Sequence, residues 1–362
     1  MTRIFFFIIA FAILVLLSFC SVKIFTTLLK VSEPWLKYIN IFGFVFPFII
    51  ALAMAISRFS DGILARIFYT KIMLLTGIMF YVFIMACILG IVLIIDKFAH
   101  FDINWFYLAK FVLIIAFSLS TIGLIQSFFL KTVTYTIKNS PESLHGKKFV
   151  LLADTHLGLI NQTKLSKRAV EKVLNINPSA VLIAGDFFDG PDFALEKSMN
   201  VWKKLSEEIP VFYAPGNHEE YGPYEKFINS LKDSKFTVLE DESTYFENIQ
   251  IIGLKYRTKG QEKETEEVLS KIHDGKSPSI LINHPPLFQE VASNHGVFLE
   301  VSGHTHRGQF WPFGYIVKSI YKYFYGQYTI GNLTQITTSG VGTASVPFRT
   351  FNTPEIVVIY FE

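Results

Sequence analysis

Cysteine is almost absent from this chain of 362 residues, and its two copies, Cys20 and Cys87, both lie inside apolar runs. A disulfide framework is therefore not expected, and a zinc site built from cysteine thiolates is excluded. The net charge is also small, at +3, which gives no reason to expect a nucleic-acid partner. We interpret both cysteines as small apolar side chains that face lipid or another helix.

Long apolar runs are almost confined to the first 131 residues. Four of them, 4–22, 39–56, 72–95 and 111–130, are long enough to cross a bilayer, which takes about 20 apolar residues. Ionisable residues are missing from the centre of every run, which argues against a transporter or a proton relay. We therefore predict a four-helix transmembrane region over residues 1–131, in a multi-pass protein of the cell membrane.

The first run also allows a second interpretation, as a signal peptide that ends near Leu17-Ser18-Phe19-Cys20. Phe19 is bulky where a lipoprotein cleavage site requires a small residue, and three more runs follow, so we favour an uncleaved helix. Four spans place both termini on the same side of the membrane. The lysine and arginine bias of the short loops slightly favours the cytoplasm for the C-terminal part.

The remaining chain has the pattern of a layered α/β domain. Residues 132–147 are polar and are predicted to be a linker, and residues 148–362 are predicted to be the catalytic domain. Short apolar runs alternate there with amphipathic segments, which indicates strands separated by helices. The predicted strands are 149–153, 180–184, 211–214, 249–254, 280–283 and 298–302, and the predicted helices are 164–174, 195–207, 224–231 and 265–272. The tail from about Tyr315 has β-type runs such as 356–361, which we expect to close a second sheet against the first.

Five short polar motifs follow in order along this part, each where a predicted strand ends. They are Asp154-Thr155-His156, Gly185-Asp186-Phe187-Phe188-Asp189, Gly216-Asn217-His218-Glu219, Asn283-His284 and Gly303-His304-Thr305-His306. Ligands of α/β sheets bind beyond the carboxyl ends of strands, so we expect the motifs to meet at one edge. Carboxylate, amide and imidazole donors together suit two divalent metals. A two-metal site of this kind is suited to splitting phosphate esters.

Individual side chains in these motifs suggest individual roles. Asp186 can bridge two metals through its two oxygens, while Asp189 is expected to orient its loop and a histidine. Asn217 would supply an amide oxygen, an unusual ligand, and the adjacent His218 suits a proton donor to a leaving group. Each motif alone has an ordinary interpretation, such as a turn or a helix cap. Their occurrence together, in order and at strand ends, favours the metal site.

The motifs resemble those of the calcineurin-like metallophosphoesterases, which are D-x-H, G-D-x-x-D, G-N-H-[ED], a lone His and G-H-x-H. The extension Gly303–Gln309 (GHTHRGQ) and the late Gly340-Val341-Gly342-Thr343 resemble a bacterial branch with membrane-attached members. The resemblance implies a sandwich of two sheets with flanking helices and two divalent cations (Mn, Fe, Zn or Mg). It implies that the first metal is held by Asp154, His156 and His306, that the second is held by Asn217, His284 and His304, that Asp186 bridges them and that His218 protonates the leaving oxygen.

Arg307 stands where many relatives have glycine, and two alternatives are open for it: contact with an anionic substrate, or exposure to solvent.

The resulting hypothesis is a membrane-bound, metal-dependent phosphoric ester hydrolase that acts on a phosphodiester or a pyrophosphate, with a lipid-linked substrate as one case. A first alternative is a phosphodiesterase for a soluble nucleotide-type substrate, merely anchored at the membrane. A second is a non-catalytic membrane interaction or sensor protein on the same fold. A nuclease is a weaker option, since the sequence has no basic stripe with interleaved aromatics. The sequence leaves the oligomeric state open.

Overall fold

Four long helices form the N-terminal part of the computed structural model, which describes residues 2–60, 62–138, 140–190 and 196–362. They are α1 (Thr2–Leu28), α2 (Trp35–Phe59), α3 (Ile63–Ala99) and α4 (Trp105–Ser127). Each contains a stretch long and apolar enough to cross a membrane, which confirms the predicted all-α region. The helices are longer than the predicted runs because hydropathy marks only the part suited to hydrocarbon, whereas helical hydrogen bonding continues beyond it.

The chain separates into two compact units, the first ending at Leu124 and the second beginning at Ile125. Within the first unit, Tyr81, Met85 and Leu89 of α3 belong to one buried cluster with α4 residues. Helices α1 and α2 approach closely at Gly43, where an added Cβ would lie 2.9 Å from the Cβ of Val22. Small residues allow such contacts between membrane helices, in which van der Waals packing replaces the hydrophobic effect.

The second unit is built on two six-stranded sheets. In the first sheet, four strands are parallel to one another, and two strands at one edge run together in the opposite direction. Its strands, in spatial order, are β1 (Lys131–Ile137), β12 (Glu355–Phe361), β2 (Lys148–Leu152), β3 (Ala180–Ala184), β4 (Val211–Ala214) and β5 (Thr237–Val238). The residues of β3 and β4 are all buried, as expected for parallel strands covered on both faces.

The second sheet has four parallel central strands and an antiparallel strand at each edge. Its strands, in spatial order, are β10 (Gly326–Ile330), β11 (Leu333–Thr337), β9 (Leu299–Ser302), β8 (Ser279–Ile282), β7 (Ile249–Gly253) and β6 (Glu242–Phe246). One apolar core joins the two sheets, with Phe149 and Leu151 of the first and Ile251 and Ile282 of the second in the same buried cluster. The predicted two-sheet α/β fold is therefore confirmed.

In the described part of the second unit, seven helices connect the strands and flank the sheets. They are α5 (Thr163–Ile176), α6 (Glu196–Glu208), α7 (Asn217–Glu220), α8 (Tyr224–Asp233), α9 (Glu262–Ile272), α10 (Gln289–Asn294) and α11 (Gly314–Ile320). The helix predicted over 195–207 corresponds to α6. Leu195 itself lies outside the described residues, as does Asn139 of the predicted linker. Apolar faces of α5, α6 and α8 share a core with β2 and β3, so the first sheet is covered on its outer face.

The structure differs from the sequence prediction at both ends of this unit. Residues 132–137, predicted as linker, instead form most of β1, which pairs in parallel with β12 from Lys131↔Glu355 to Ile137↔Phe361. Their polarity was misleading because an edge strand keeps one face partly exposed, and its partner lies at the far end of the sequence. The tail was predicted to close the second sheet, but only β10 and β11 do so, while β12 joins the first. The domain boundaries themselves stay a prediction.

Candidate metal centre

Three of the polar motifs follow neighbouring parallel strands of the first sheet. Asp154 lies just beyond β2, Asp186 just beyond β3 and Asn217 just beyond β4. The N–H of Asp154 donates to the carbonyl oxygen of Gly185 at 3.0 Å, so backbone pairing continues past the strand ends. Carboxyl ends of parallel strands share one edge, and the three side chains are therefore delivered to the same place.

Two motif glycines allow this close approach. A Cβ on Gly216 would lie 2.2 Å from Oδ1 of Asp186, and a Cβ on Gly303 would lie 2.4 Å from Oδ2 of Asp154. No other residue fits at such distances without displacing the carboxylate. The glycines of these motifs thus leave room for the aspartates.

The second sheet contributes His284, just beyond β8, and His304, just beyond β9. Nδ1 of His284 donates to the carbonyl oxygen of Ala184 at 2.7 Å, which directs its Nε2 toward the other candidate ligands. That Nε2 lies 3.1 Å from Oδ2 of Asp186. The N–H of His304 lies 3.0 Å from Oδ2 of Asp154, so the edges of the two sheets meet directly.

Six of the predicted ligands fall into two groups among the described residues, each with its ligand atoms within 4.8 Å of one another. The groups are Asp154, His156 and His306, and Asp186, His284 and His304. In the first, Nε2 of His306 is 2.9 Å from Nε2 of His156 and 3.4 Å from Oδ1 of Asp154. In the second, Nδ1 of His304 is 3.1 Å from Nε2 of His284. Because Asp186 Oδ2 is also 3.9 Å from Nε2 of His156, its carboxylate lies between the groups.

The residues present fit a bound cation. Oδ1 of Asn217 is buried and has no hydrogen-bond partner among the described residues, although an amide oxygen deprived of water needs one. Burial raises the pKa of Asp154 to about 7, and His284 offsets this only in part. Buried carboxylates and an unpaired amide oxygen are the donors that a divalent metal would satisfy.

His218 and Asp189 form a pair beside the two groups, with Nδ1 of His218 3.1 Å from Oδ1 of Asp189. Burial by itself lowers the pKa of His218, but the hydrogen bond to Asp189 and the negative charge of Asp186 outweigh it, so the pKa is raised. Ligand atoms of this pair also form a third group with His156. A raised pKa favours the protonated form of His218, which suits proton donation better than metal binding.

Comparison with known proteins identifies the second unit. Residues 147–308 match the family model described as "Calcineurin-like phosphoesterase". The second unit carries a calcineurin-like phosphoesterase domain. The resemblance drawn from the five motifs is thereby confirmed for the family, whereas the narrower resemblance to a bacterial membrane-attached branch stays a prediction.

Several curated proteins are similar to the chain. An uncharacterized metallophosphoesterase of Helicobacter pylori is 31% identical over 218 residues, which cover 59% of this chain and 59% of that protein. One of Campylobacter jejuni is 25% identical over 370 residues, covering 98% of both chains. A "Transmembrane protein with metallophosphoesterase domain" of Danio rerio is 29% identical over 247 residues, covering 63% of this chain and 56% of that protein. The chain thus spans less than two thirds of the length of the first of these relatives. Its own four long apolar helices indicate a membrane protein.

Glu219 of the phosphoesterase domain has a structural role that the sequence analysis missed. Its buried carboxylate accepts hydrogen bonds from the N–H groups of Phe187 at 2.7 Å, Gly216 at 2.8 Å and Phe188 at 3.0 Å. It therefore holds the loop after β3 against the loop after β4. Its place in the third motif was the available signal, but the sequence analysis gave it no role.

Two further residues reach the centre from distant parts of the domain. Nη1 of the buried Arg349 donates to the carbonyl oxygen of His306 at 3.0 Å, and the hydroxyl of Tyr321 lies 2.9 Å from Nε2 of His304. Neither belongs to a motif, so the sequence contained no signal for them. Arg307 is half-buried and stacks on the ring of Tyr325 at 4.3 Å, and both alternatives predicted for it stay open.

Proposed function

We propose that the phosphoesterase domain is a membrane-anchored hydrolase that holds two divalent cations and splits a phosphodiester or pyrophosphate bond, with a lipid-linked substrate. The observation that carries the proposal is the pair of buried ligand groups with the carboxylate of Asp186 between them. The chain covers less than two thirds of the Helicobacter pylori relative, so the activity and the substrate are our inference.

The residues assigned to each cation follow the two groups. Asp154, His156 and His306 would hold one cation, and Asn217, His284 and His304 would hold the other, with Asp186 shared. When bound, two such cations lower the pKa of a water molecule and neutralise the charge of the phosphate oxygens. The metal identity, whether Mn, Fe, Zn or Mg, stays open because these donors suit all four.

The protein's own side chains supply the remaining chemistry. His218 has a raised pKa and is oriented by Asp189, so it is suited to protonate the oxygen that leaves the phosphorus. Glu219 fixes the backbone of the two loops that carry Asp186 and Asn217, which keeps their side chains in register during the reaction.

The test is hydrolysis of bis-p-nitrophenyl phosphate by the full chain with Mn²⁺, with metal content measured by mass spectrometry. Asp186→Ala should lower kcat by more than the roughly 10- to 100-fold that loss of an outer partner of a ligand costs, and should lower bound metal. Asp233→Ala, an exposed aspartate on α8, is the matched control and should behave like wild type. Equal rates for Asp186→Ala and wild type would overturn the proposal.

The lipid part of the proposal rests on the four membrane-spanning helices of the same chain. A panel of phospholipids, lipid pyrophosphates and nucleotides, offered in mixed micelles, separates it from the soluble-substrate alternative. A higher kcat/KM for the lipids supports the proposal. A higher kcat/KM for a nucleotide would instead favour an enzyme that uses the membrane only for localisation.

A further inference from the structure

Helix α11 and its flanking residues form an exposed apolar surface on the phosphoesterase domain. All seven residues of α11 are described, and none of them is buried. The large apolar side chains of this segment are between 40% and 71% exposed: Trp311, Phe313, Tyr315, Ile316 and Ile320. Together with Phe351, which is 53% exposed, we call them the apolar rim. A contiguous apolar surface on a folded domain usually marks an interaction site.

The apolar rim continues into the segment where the fourth membrane-spanning helix ends. The ring of Trp311 contacts the ring of Phe351 at 6.2 Å, and the N–H of Phe351 donates to Oε1 of Gln126 at 2.6 Å. Gln126 lies in the last turn of α4 and belongs to the same compact unit as the rim. Phe128 and Phe129, which follow it, are also exposed. The apolar rim is thus joined, within one compact unit, to the end of the fourth apolar helix.

The stretch of sequence that carries the apolar rim has charges of one sign. Residues 301–354 contain no aspartate or glutamate, but they contain four cationic residues, Arg307, Lys318, Lys322 and Arg349. Lys318 and Lys322 are exposed beside the rim. Tryptophan, tyrosine and lysine side chains are the ones that favour the membrane–water interface, and cationic groups are attracted to anionic lipids. This composition favours contact of the apolar rim with a lipid bilayer.

Both ends of the apolar rim are connected to residues of the metal centre. Its N-terminal side follows the short turn His306–Gly308. Its C-terminal side leads to Tyr321, whose hydroxyl lies 2.9 Å from Nε2 of His304. A surface fixed at both ends in this way cannot move far without moving these histidines.

We propose that the apolar rim docks on the surface of the bilayer that this same chain spans, with its aromatic and aliphatic side chains in the layer between head groups and acyl chains. The occupant is the lipid surface, and a second copy of the chain or another protein would be a different outcome. For the enzyme, docking would hold the metal centre next to lipid phosphates. This consequence rests on the proposed function, whereas docking itself does not.

The experiment places a nitroxide spin label on the full chain in nanodiscs of phosphatidylcholine and phosphatidylglycerol. Cys20→Ala and Cys87→Ala remove the native cysteines, and Ile316→Cys supplies the labelling site. Power saturation compares collision with oxygen, which enters the bilayer, and with a water-soluble nickel chelate. Two references bracket the result: a label on native Cys87, exposed on a membrane-spanning helix, and one on Tyr245→Cys, on exposed strand β6.

Docking predicts an oxygen-to-nickel ratio at Ile316 about threefold or more above that of the Tyr245 label, approaching that of Cys87. A ratio equal to that of Tyr245 would show that the rim faces water and would overturn the proposal. Protection from both reagents would show that a protein covers the rim, which also overturns it. None of these readings depends on catalysis, so a failure of the proposed hydrolysis would be seen separately.

A second variant tests whether the apolar side chains themselves cause docking. Ile316→Glu combined with Ile320→Glu should reduce the ratio of a Tyr315→Cys label by at least about half, because carboxylates are driven from the interface and from anionic lipid. The same double substitution should leave hydrolysis of bis-p-nitrophenyl phosphate within about twofold of wild type. An unchanged ratio in the double variant would contradict docking through this surface.

Discussion

Asp186 and Asp189 stand on one loop but differ in what they contact. Asp186 lies between two groups of candidate ligand atoms, whereas Asp189 contacts Nδ1 of His218. The sequence suggested a different role for each from the motif, and both roles stay predictions. Measuring bound metal and turnover separately in a variant of each aspartate decides which of the two carboxylates binds metal.

Asp189→Asn is expected to lower kcat by about 10- to 100-fold, because His218 loses the negative partner that orients it and raises its pKa. Bound metal should stay at the wild-type level. Rates with bis-p-nitrophenyl phosphate and metal analysis on the same samples check both statements. If metal is lost together with activity, Asp189 is a ligand in the third group of His156, Asp189 and His218, and our assignment is wrong.

A buried carboxyl outside the metal centre makes the stability of the domain depend on pH. Glu300 of β9 is fully buried, one oxygen accepts from Nδ2 of Asn283 at 3.1 Å, and the other has no partner among the described residues. Burial raises the pKa of Glu300 to about 8 from a usual value of 4.5, against the opposing effect of Asn283. The folded state therefore retains a proton that the unfolded state releases.

The direction of the pH dependence of stability follows from this difference in pKa between the folded and unfolded states. The contribution of Glu300 is full below about pH 4.5 and is lost as pH rises toward about 8, by about 1.4 kcal/mol per pH unit. Glu300→Gln cannot ionise, so its free energy of unfolding should decline less between about pH 5 and pH 8 than that of wild type. Denaturant unfolding at several pH values measures this. Parallel curves for the two proteins would show that Glu300 is ionised in the folded state.

At the scale of elements, helix α6 stabilises the loop that carries the second motif. Trp202 is fully buried, and its ring contacts the ring of Phe187 at 5.0 Å, directly after Asp186 in sequence. The same side chain belongs to the core that covers the first sheet. Packing of α6 therefore affects both the stability of the sheet and the position of the motif.

Trp202→Ala should lower the free energy of unfolding by about 3–5 kcal/mol, because it removes a large buried side chain and leaves a cavity. Lys204→Ala, on the exposed face of the same helix, should change it by less than about 0.5 kcal/mol. Urea unfolding of the full chain, followed by circular dichroism, measures the difference. Similar midpoints for the two variants would mean that the contact between α6 and the sheet contributes little.

Strands were predictable where burial was complete and missed where it was partial. Strand β3 has the predicted bounds, Ala180–Ala184, because a parallel strand covered on both faces is apolar throughout. Strands β1 and β10 have alternating, partly exposed residues rich in threonine and tyrosine, which resemble a polar connection in sequence. Their pairing partners, not their own composition, make them strands.

At the scale of the whole molecule, the remaining question is the side of the membrane on which the phosphoesterase domain lies. The distribution of lysine and arginine in the short loops predicts the cytoplasm for both chain ends. The loop between α1 and α2 would then face outward.

Cysteine labelling tests this orientation in a background without native cysteines. Lys263→Cys, exposed on α9, should react with a membrane-impermeant maleimide only in inverted vesicles. Ser32→Cys, exposed between α1 and α2, is the matched control and should react in intact cells. The reverse pattern would place the domain outside.

The sequence by itself determined the four membrane-spanning helices, the α/β class and the ligand types of the five motifs. These features depend on local hydropathy and on residues at the ends of buried strands, which periodicity records. Only the tertiary structure decided that β1 pairs with β12, that Glu219 holds two loops together, and that Arg349 and Tyr321 reach two of the candidate metal-ligand histidines. The apolar rim, too, was recognisable only in the tertiary structure. Such contacts join residues far apart in sequence and form only when the strands pair and the two sheets pack together. No local sequence pattern encodes them.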